Sequence, residues 1–234
     1  MNTKRILFIS DLHAPYMHQD AARFLRAVKK KYAPTAVILS GDEVDWHSIS
    51  MHEHDPNLPG PFDELQLAIK QLQPIYDMFP KAHVLESNHG SLVFRRAKLA
   101  GLPDAVFKTY QQMLQAPKGW TWHFDLRLKL PTGEMCYFHH SKGANVKKNS
   151  QAYGMSFCQG HHHDTFEVTY WGNPMGLHFG VTTGCLADPK SLALAYGKNN
   201  LKRPVLGVTV ILDGVPKLLP MILNHKSRWT GVVP

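Results

Sequence analysis

Apolar residues recur along this chain in short runs rich in Ile, Val, Leu and aromatics, the pattern of buried strands. "RILFIS" (5–10) is the first and "TAVILS" (35–40) the second. Between them "HQDAARFLRAVKKKY" sets Ala22, Leu25 and Val28 on one side at helical spacing, with lysines at its end, so strand, helix and strand predict a βαβ unit. "EVDWHSISMHEHDPNLPGP" (43–61), rich in His and Pro, reads as a loop. "FDELQLAIKQLQPIYDMF" follows as a helix, kinked or broken near Pro74. "AHVLES" (82–87) is a third strand, and "SLVFRRAKLA" and "DAVFKTYQQMLQ" read as two more helices. From residue 120 the pattern changes. "WTWHFDLRLKL", "EMCYFHH", "MSFCQ", "TFEVTYW", "LHFGVTT" and "VLGVTVILDGVPKLLPMIL" read mostly as strands, with Asp213-Gly214 suited to a hairpin turn. There is no internal repeat, low-complexity segment or linker-like boundary, so the expectation is one α/β domain over residues 1–234.

The polar residues fall where the strands end. "ILFIS" runs into Asp11-Leu12-His13, "AVILS" into Gly41-Asp42-Glu43-Val44-Asp45, and "HVLES" into Asn88-His89. "CYF" runs into His139-His140, and "MSFCQ" into Gly160-His161-His162-His163. In open α/β sheets the carboxyl edge of the strands is where ligands bind. If the sheet gathers these ends, their nitrogen and oxygen donors meet the needs of a two-metal site. Carboxylates, imidazoles and one amide without thiolate suit divalent ions such as Mn²⁺ first, with Fe²⁺ or Zn²⁺ as alternatives. In an extended segment residues i and i+2 face the same way. Asp11 and His13 can then grip one ion together, and His161 and His163 can both face the site while His162 points elsewhere. Taken singly, an Asp at a strand end is usually a turn residue. It is the set of five in this order that carries the reading.

Composition adds to the picture without deciding it. At 44% hydrophobic and 19% charged residues the chain reads as globular. No apolar run approaches the roughly 20 residues that span a bilayer. The apolar run after "MNTKR" is only Ile6 to Ile9, too short for a secretory core, so a cytoplasmic location without membrane attachment is expected. Cys136, Cys158 and Cys185 are widely spaced and fit neither a disulfide framework nor a C-x-x-C zinc pair. The net charge of +8 favours polyanionic partners such as nucleic acid, although many basic domains bind nothing anionic.

The order of these motifs resembles the calcineurin-like metallophosphoesterase superfamily, whose pattern is D-x-H, G-D-x-x-D, G-N-H-[D/E], a lone His after a strand, and G-H-x-H. The resemblance spans roughly residues 5–190 and includes "TTGCLADP" (182–189), similar to the family's glycine-containing loop. It implies two packed mixed β-sheets flanked by helices, a four-layer αββα sandwich with the metal site at the strand carboxyl ends. It implies that Asp11, His13 and His163 hold one metal, that Asn88, His140 and His161 hold a second, and that Asp42 bridges both. His140 is preferred over His139 because the family's histidine ends the strand and a small residue follows, here Ser141. His89 would be the catalytic imidazole, steadying phosphoryl oxygens and protonating the leaving oxygen. Asp45 would orient His89. A hydroxide bridging the ions would attack phosphorus in line.

Three departures bear on the substrate. Ser87 and Gly90 replace the family's usual Gly and acidic residue around Asn-His. Trp46 stands where the phosphoprotein phosphatases of the superfamily carry an arginine, which removes a bidentate anchor for a phosphomonoester dianion. Arg95 and Arg96 could reach phosphates instead, or be solvated helix charges. The net charge, the basic residues at Lys29 to Lys31, Lys147-Lys148, Lys202-Arg203 and Lys226-Arg228, and a stacking platform among Trp46, Trp120, Trp122 and Trp171 point to a phosphodiesterase or nuclease acting on DNA or RNA. Core packing is the plainer reading of the tryptophans, and solvated faces of the lysines. The alternatives are a phosphomonoesterase for nucleotides or phosphoproteins, and a metal-binding scaffold without catalysis. The "HSISMHEH" loop (47–54) could line the cleft or be surface.

Overall fold

The computed structural model describes residues 2–50, 55–193 and 202–234. The strands are β1 (Arg5–Ile9), β2 (Ala36–Leu39), β3 (Lys81–Leu85), β4 (Gly119–His123), β5 (Leu126–Lys129), β6 (Met135–Phe138), β7 (Ser156–Gln159), β8 (Glu167–Asn173), β9 (Gly176–Thr182), β10 (Gly207–Leu212) and β11 (Val215–Pro220). The helices are α1 (Ala21–Tyr32), α2 (Pro61–Met78), α3 (Leu92–Leu99), α4 (Tyr110–Met113) and α5 (Val146–Tyr153). Six strands form one sheet in the order β11-β10-β1-β2-β3-β4, and five form the other in the order β5-β6-β7-β9-β8.

Alternation within each strand divides the core. Leu7 and Ile9 of β1 point into a cluster with Phe24, Leu25 and Val28 of α1 and Leu72 and Ile75 of α2. Ile6 and Phe8 point the other way, meeting Cys136, Phe138, Cys158 and Val181 of the five-stranded sheet. On the far side of that sheet Tyr137 and Phe157 pack on Val146 of α5. Helices, sheet, sheet and helix are therefore four layers, an αββα sandwich. Within it Cys136 and Cys158 lie with their sulfurs 3.7 Å apart, and all three cysteines are free and buried.

Several elements differ from their sequence reading. α2 runs unbroken through Pro74 from a proline at its first turn. The stretch 104–115 is a 3₁₀ turn followed by the four-residue α4, with Thr109 and Gln112 closing a capping box, and not one helix. "WTWHFDLRLKL" serves both sheets: β4 pairs with β3 and β5 pairs with β6. α5 has no counterpart in the apolar pattern because it buries only Val146 and Ser150, yet the Asn145 side chain caps its start and a left-handed Gly154 ends it. Asp213 and Gly214 both have positive φ (48° and 91°), the primed turn expected for that dipeptide. His47–Ile49 form a short 3₁₀ turn, and residues 51–54 of the histidine-rich loop lie outside the described residues. Among the described residues no helix is long and apolar enough to cross a membrane.

Candidate metal centre

The parallel pairing of β1, β2 and β3 in one sheet, and of β6 and β7 in the other, aims their carboxyl ends at one place. The turns that follow are sharp. Asp11, His13, Asp42 and His161 all carry left-handed backbone, with φ of 51°, 49°, 49° and 67°. Asp and His tolerate that region better than most residues, and such strain, of order 1–3 kcal/mol each, gathers at functional sites. Asp11 and His13 thus reach one centre through two kinks, not through the extended alternation inferred from sequence, and the same holds for His161. Two glycines permit the close approach. A Cβ on Gly160 would lie 1.7 Å from Ser10 Oγ and 2.8 Å from Asp11 Oδ2, and one on Gly41 would lie 2.4 Å from Ser87 Cβ. With Gly160 in place the His161 amide donates to Asp11 Oδ2 at 2.9 Å.

The seven predicted ligands converge. His163 Nε2 is 3.4 Å from Asp11 Oδ1 and 3.3 Å from His13 Nε2. Asp42 Oδ2 stands 3.7 Å from His13 Nε2 and 3.4 Å from His140 Nε2, placing one carboxylate between the two groups. His140 Nε2 lies 2.7 Å from Asn88 Oδ1 and 3.2 Å from His161 Nδ1. Donor atoms of Asp11, His13 and His163, and again of Asp42, His140 and His161, fall within 4.8 Å of one another.

Electrostatics of the polypeptide follow from this crowding. Burial works against the Asp11 and Asp42 carboxylates, but His163 beside the first and His140, His89 and His13 around the second outweigh it, holding both well below the usual range. Burial likewise opposes charge on His13 and His140, yet Asp45 and Asp42 raise His13 to about 9, and Asp42 and Asp11 raise His140 to about 9. His161 behaves oppositely: burial and the neighbouring His140 lower it to about 4.

The supporting groups redistribute two predicted roles. His13 Nδ1 donates to Asp45 Oδ2 at 2.7 Å, so the Asp45 carboxylate orients the candidate ligand His13. His89 Nδ1 bonds instead to the Asp45 backbone carbonyl, its distance to the carboxylate being 3.9 Å. His89 also anchors through its amide to Asp42 Oδ1 at 2.9 Å. His140 Nδ1 donates to the Ser40 carbonyl at 2.8 Å. His139 turns away, stacking on Tyr137 and meeting Phe124 edge-on, while burial lowers it to about 4. His162 contacts Ser141 Oγ at 3.2 Å.

Sequence reasoning missed Ser87 as a builder of the site. Its hydroxyl accepts from the Asp42 amide at 2.8 Å and the Gly90 amide at 3.1 Å, tying two motif loops together. The signal was the departure from Gly at that position. Glu64 is the second omission: its carboxylate accepts from the amides of His47 and Ser48 and so holds the chain just after Asp45. The arginines divide. Arg95 donates to the Asn88 carbonyl beside the centre, whereas Arg96 holds the carbonyls of Ile49 and Ser50. Trp46 and Trp120 are buried. Trp122 donates to Glu43 and stacks on Tyr110, and Trp171 donates to Ser150, so packing accounts for all four tryptophans. Of the basic groups, Lys202 pairs with Asp164 beside His163, while Arg228 is committed to Asp20.

The donors fit divalent cations. Asp11 Oδ1 is buried without a hydrogen-bond partner, an arrangement that costs about 1–3 kcal/mol unless a cation meets it. His13 and His140 both commit Nδ1 to a protein acceptor, which turns Nε2 to the centre, where an ion would take the place of its proton.

No curated protein matches the chain in sequence. In structure it resembles Vps29 from Chaetomium thermophilum, at 10% identity and a TM-score of 0.51 over 99% of this chain and 95% of that one. Lower-scoring likenesses are Vacuolar Protein Sorting 29 from Cryptosporidium parvum (TM-score 0.49, 11% identity, 99% and 94% covered) and YfcE, a phosphoesterase from E. coli (0.44, 11%, 97% and 96%). At such identities the likeness is one of fold. A family profile described as calcineurin-like phosphoesterase matches residues 4–144, which contain the Asp11, Asp42, Asn88 and His140 motifs. By that match, the chain belongs to the calcineurin-like phosphoesterase family.

Proposed function

We propose that this chain is a binuclear metal-dependent phosphodiesterase that cleaves DNA or RNA. Asp11, His13, His163 and Asp42 would hold one ion, and Asp42, Asn88, His140 and His161 the other, with Mn²⁺ the first choice. Ions bound there supply Lewis-acid polarisation of the phosphoryl oxygens and a water of lowered pKa. The protein's own part lies in the supports. Asp45 and the Ser40 carbonyl fix the tautomers of His13 and His140, so no reorientation accompanies binding. The Asp45 carbonyl accepts from His89 Nδ1 in either protonation state of the ring. His89 can therefore hold a proton at Nε2 and pass it to the leaving oxygen.

The observation that favours a diester of nucleic acid is the cation beside the centre. Arg95 lies on the Asn88 side of the centre, in a chain of net charge +8. A cation on that flank suits a substrate that continues past the scissile phosphate. A terminal monoester dianion would ask for a bidentate arginine, and its position holds the buried Trp46.

The test loads metal-free protein with Mn²⁺ and compares hydrolysis of bis-p-nitrophenyl phosphate, p-nitrophenyl phosphate and plasmid DNA. The expected result is cleavage of the diester and the plasmid, with His89→Ala lowering kcat by about 10²–10⁴-fold and leaving the ion content unchanged. Monoester hydrolysis with intact plasmid would make the enzyme a phosphatase.

A further inference from the structure

A second set of metal-ligating atoms lies away from this centre, on β3 and β4. In the register of this parallel pair His83 stands beside Thr121, and His123 follows two residues on. Ala82, Val84 and Trp120 enter the core packed under the helices. Alternation therefore turns His83, Thr121 and His123 together to the opposite face of the sheet. β4 is an edge strand, so this face is accessible along its rim, with Thr121 exposed and His83 half-buried.

Three donor atoms meet there. His83 Nδ1 is 3.0 Å from His123 Nε2, Thr121 Oγ1 is 3.1 Å from His83 Nδ1, and Thr121 Oγ1 is 2.9 Å from His123 Nε2. The three form a nearly equilateral triangle. Hydrogen bonding explains only part of it. An N–H nitrogen has no lone pair to offer, the hydroxyl has one proton, and one N–H cannot point along two edges, so at most two of the three edges are well made. A metal ion explains all three. Donors about 2.1 Å from one ion and at right angles to each other lie ~3.0 Å apart, which is the face of an octahedron.

We propose that His83, Thr121 and His123 form a third metal site, a facial N,N,O set for a divalent ion of the nickel, copper and zinc group, with water completing its shell. Imidazole nitrogen selects those ions over Mg²⁺ or Ca²⁺. The site would clamp the edge strand to β3, the strand that runs into Asn88 and His89. It stands independently of the phosphodiesterase reading.

The experiment equilibrates the metal-free full chain with Zn²⁺, removes free ion by gel filtration, and counts zinc per chain by mass spectrometry. The expected result is one zinc fewer in the His83→Asn/His123→Asn double variant than in the wild type, whatever the main centre retains. Equal counts in the two proteins, both folded by thermal melting, would overturn the proposal. If the double variant does not fold, the single variant His123→Gln decides. A Zn²⁺ affinity about tenfold or more weaker at one site supports the proposal, and unchanged binding isotherms refute it.

Discussion

The inner and outer histidines of the metal centre are built on different terms. His13 and His140 sit on the turns after β1 and β6, almost fully buried, each with Nδ1 tied to a protein acceptor. His161 and His163 ride on the loop after β7, nearer solvent, with their closest contacts to the other ligands themselves. The inner pair is oriented before any ion arrives. The outer pair owes its geometry to Gly160, to the amide bond from His161 to Asp11, and to the ions it would close over. Pre-organisation is thus uneven: one wall of the site is braced by protein hydrogen bonds and the other completes it.

The largest expected effect comes from removing what both walls share. Asp42→Asn should cost both ions, and with them several kcal/mol of Lewis-acid stabilisation, lowering phosphodiester turnover by about 10³-fold or more. Metal content and kcat, measured on the same preparation, check this. Next, His140→Ala and His161→Ala separate the walls. Loss of the inner ligand should weaken ion binding at least about tenfold more than loss of the outer one, read by competition with a zinc-responsive dye. Equal losses would show that the outer loop is as pre-organised as the inner wall. Asp45→Asn then makes an inner ligand resemble an outer one. Freed of its carboxylate, His13 should bind its ion about 10–100-fold more weakly, while the overall fold keeps its melting temperature within a few degrees.

The smallest effect is a pH dependence of the metal-free chain. His13 and His140 have folded values raised from 6.5 to about 9, so their protonated forms stabilise the fold below 6.5 and that contribution is lost as pH rises through 9. His161, lowered from 6.5 to about 4, acts with the opposite sign: its contribution is present above 6.5 and lost as pH falls toward 4. The metal-free Tm should therefore fall between pH 6.5 and 9, and less so with ions bound, since metal replaces the protons. A flat metal-free Tm across that window would mean that the inner wall gains nothing from its imidazolium pairs.

Much of this was readable in the chain because strands announce themselves by apolar runs, and because their carboxyl ends deliver the ligands in a fixed order. The choice of candidate ligand residues came from that order. The way they reach the centre did not, since left-handed backbone at Asp11, His13, Asp42 and His161 leaves no apolar signature and contradicts the alternation argument. The hydroxyl of Ser87 and the carboxylate of Glu64 were overlooked because each acts through backbone amides far away in sequence. α5 escaped because periodicity sees buried faces and this helix buries only Val146 and Ser150, although its Asn145 cap and Gly154 stop were there to be read. The tryptophans followed the plainer of their two readings: residues that suit stacking are already occupied by the fold.

The three buried cysteines have a use that no ligand set would suggest. Burial pushes the thiols of Cys136 and Cys185 above their usual range, so neither should react with an alkylating dye until water reaches it. Cys136 and Cys158 lie between the two sheets and record the parting of the sandwich. Cys185 lies next to Leu186, whose amide bonds the Asp11 carbonyl, and records the loosening of the metal centre. The molecule thus carries two clocks in one chain. Divalent ions should slow the second more than the first, and the difference between their rates measures how far the site can open without the fold.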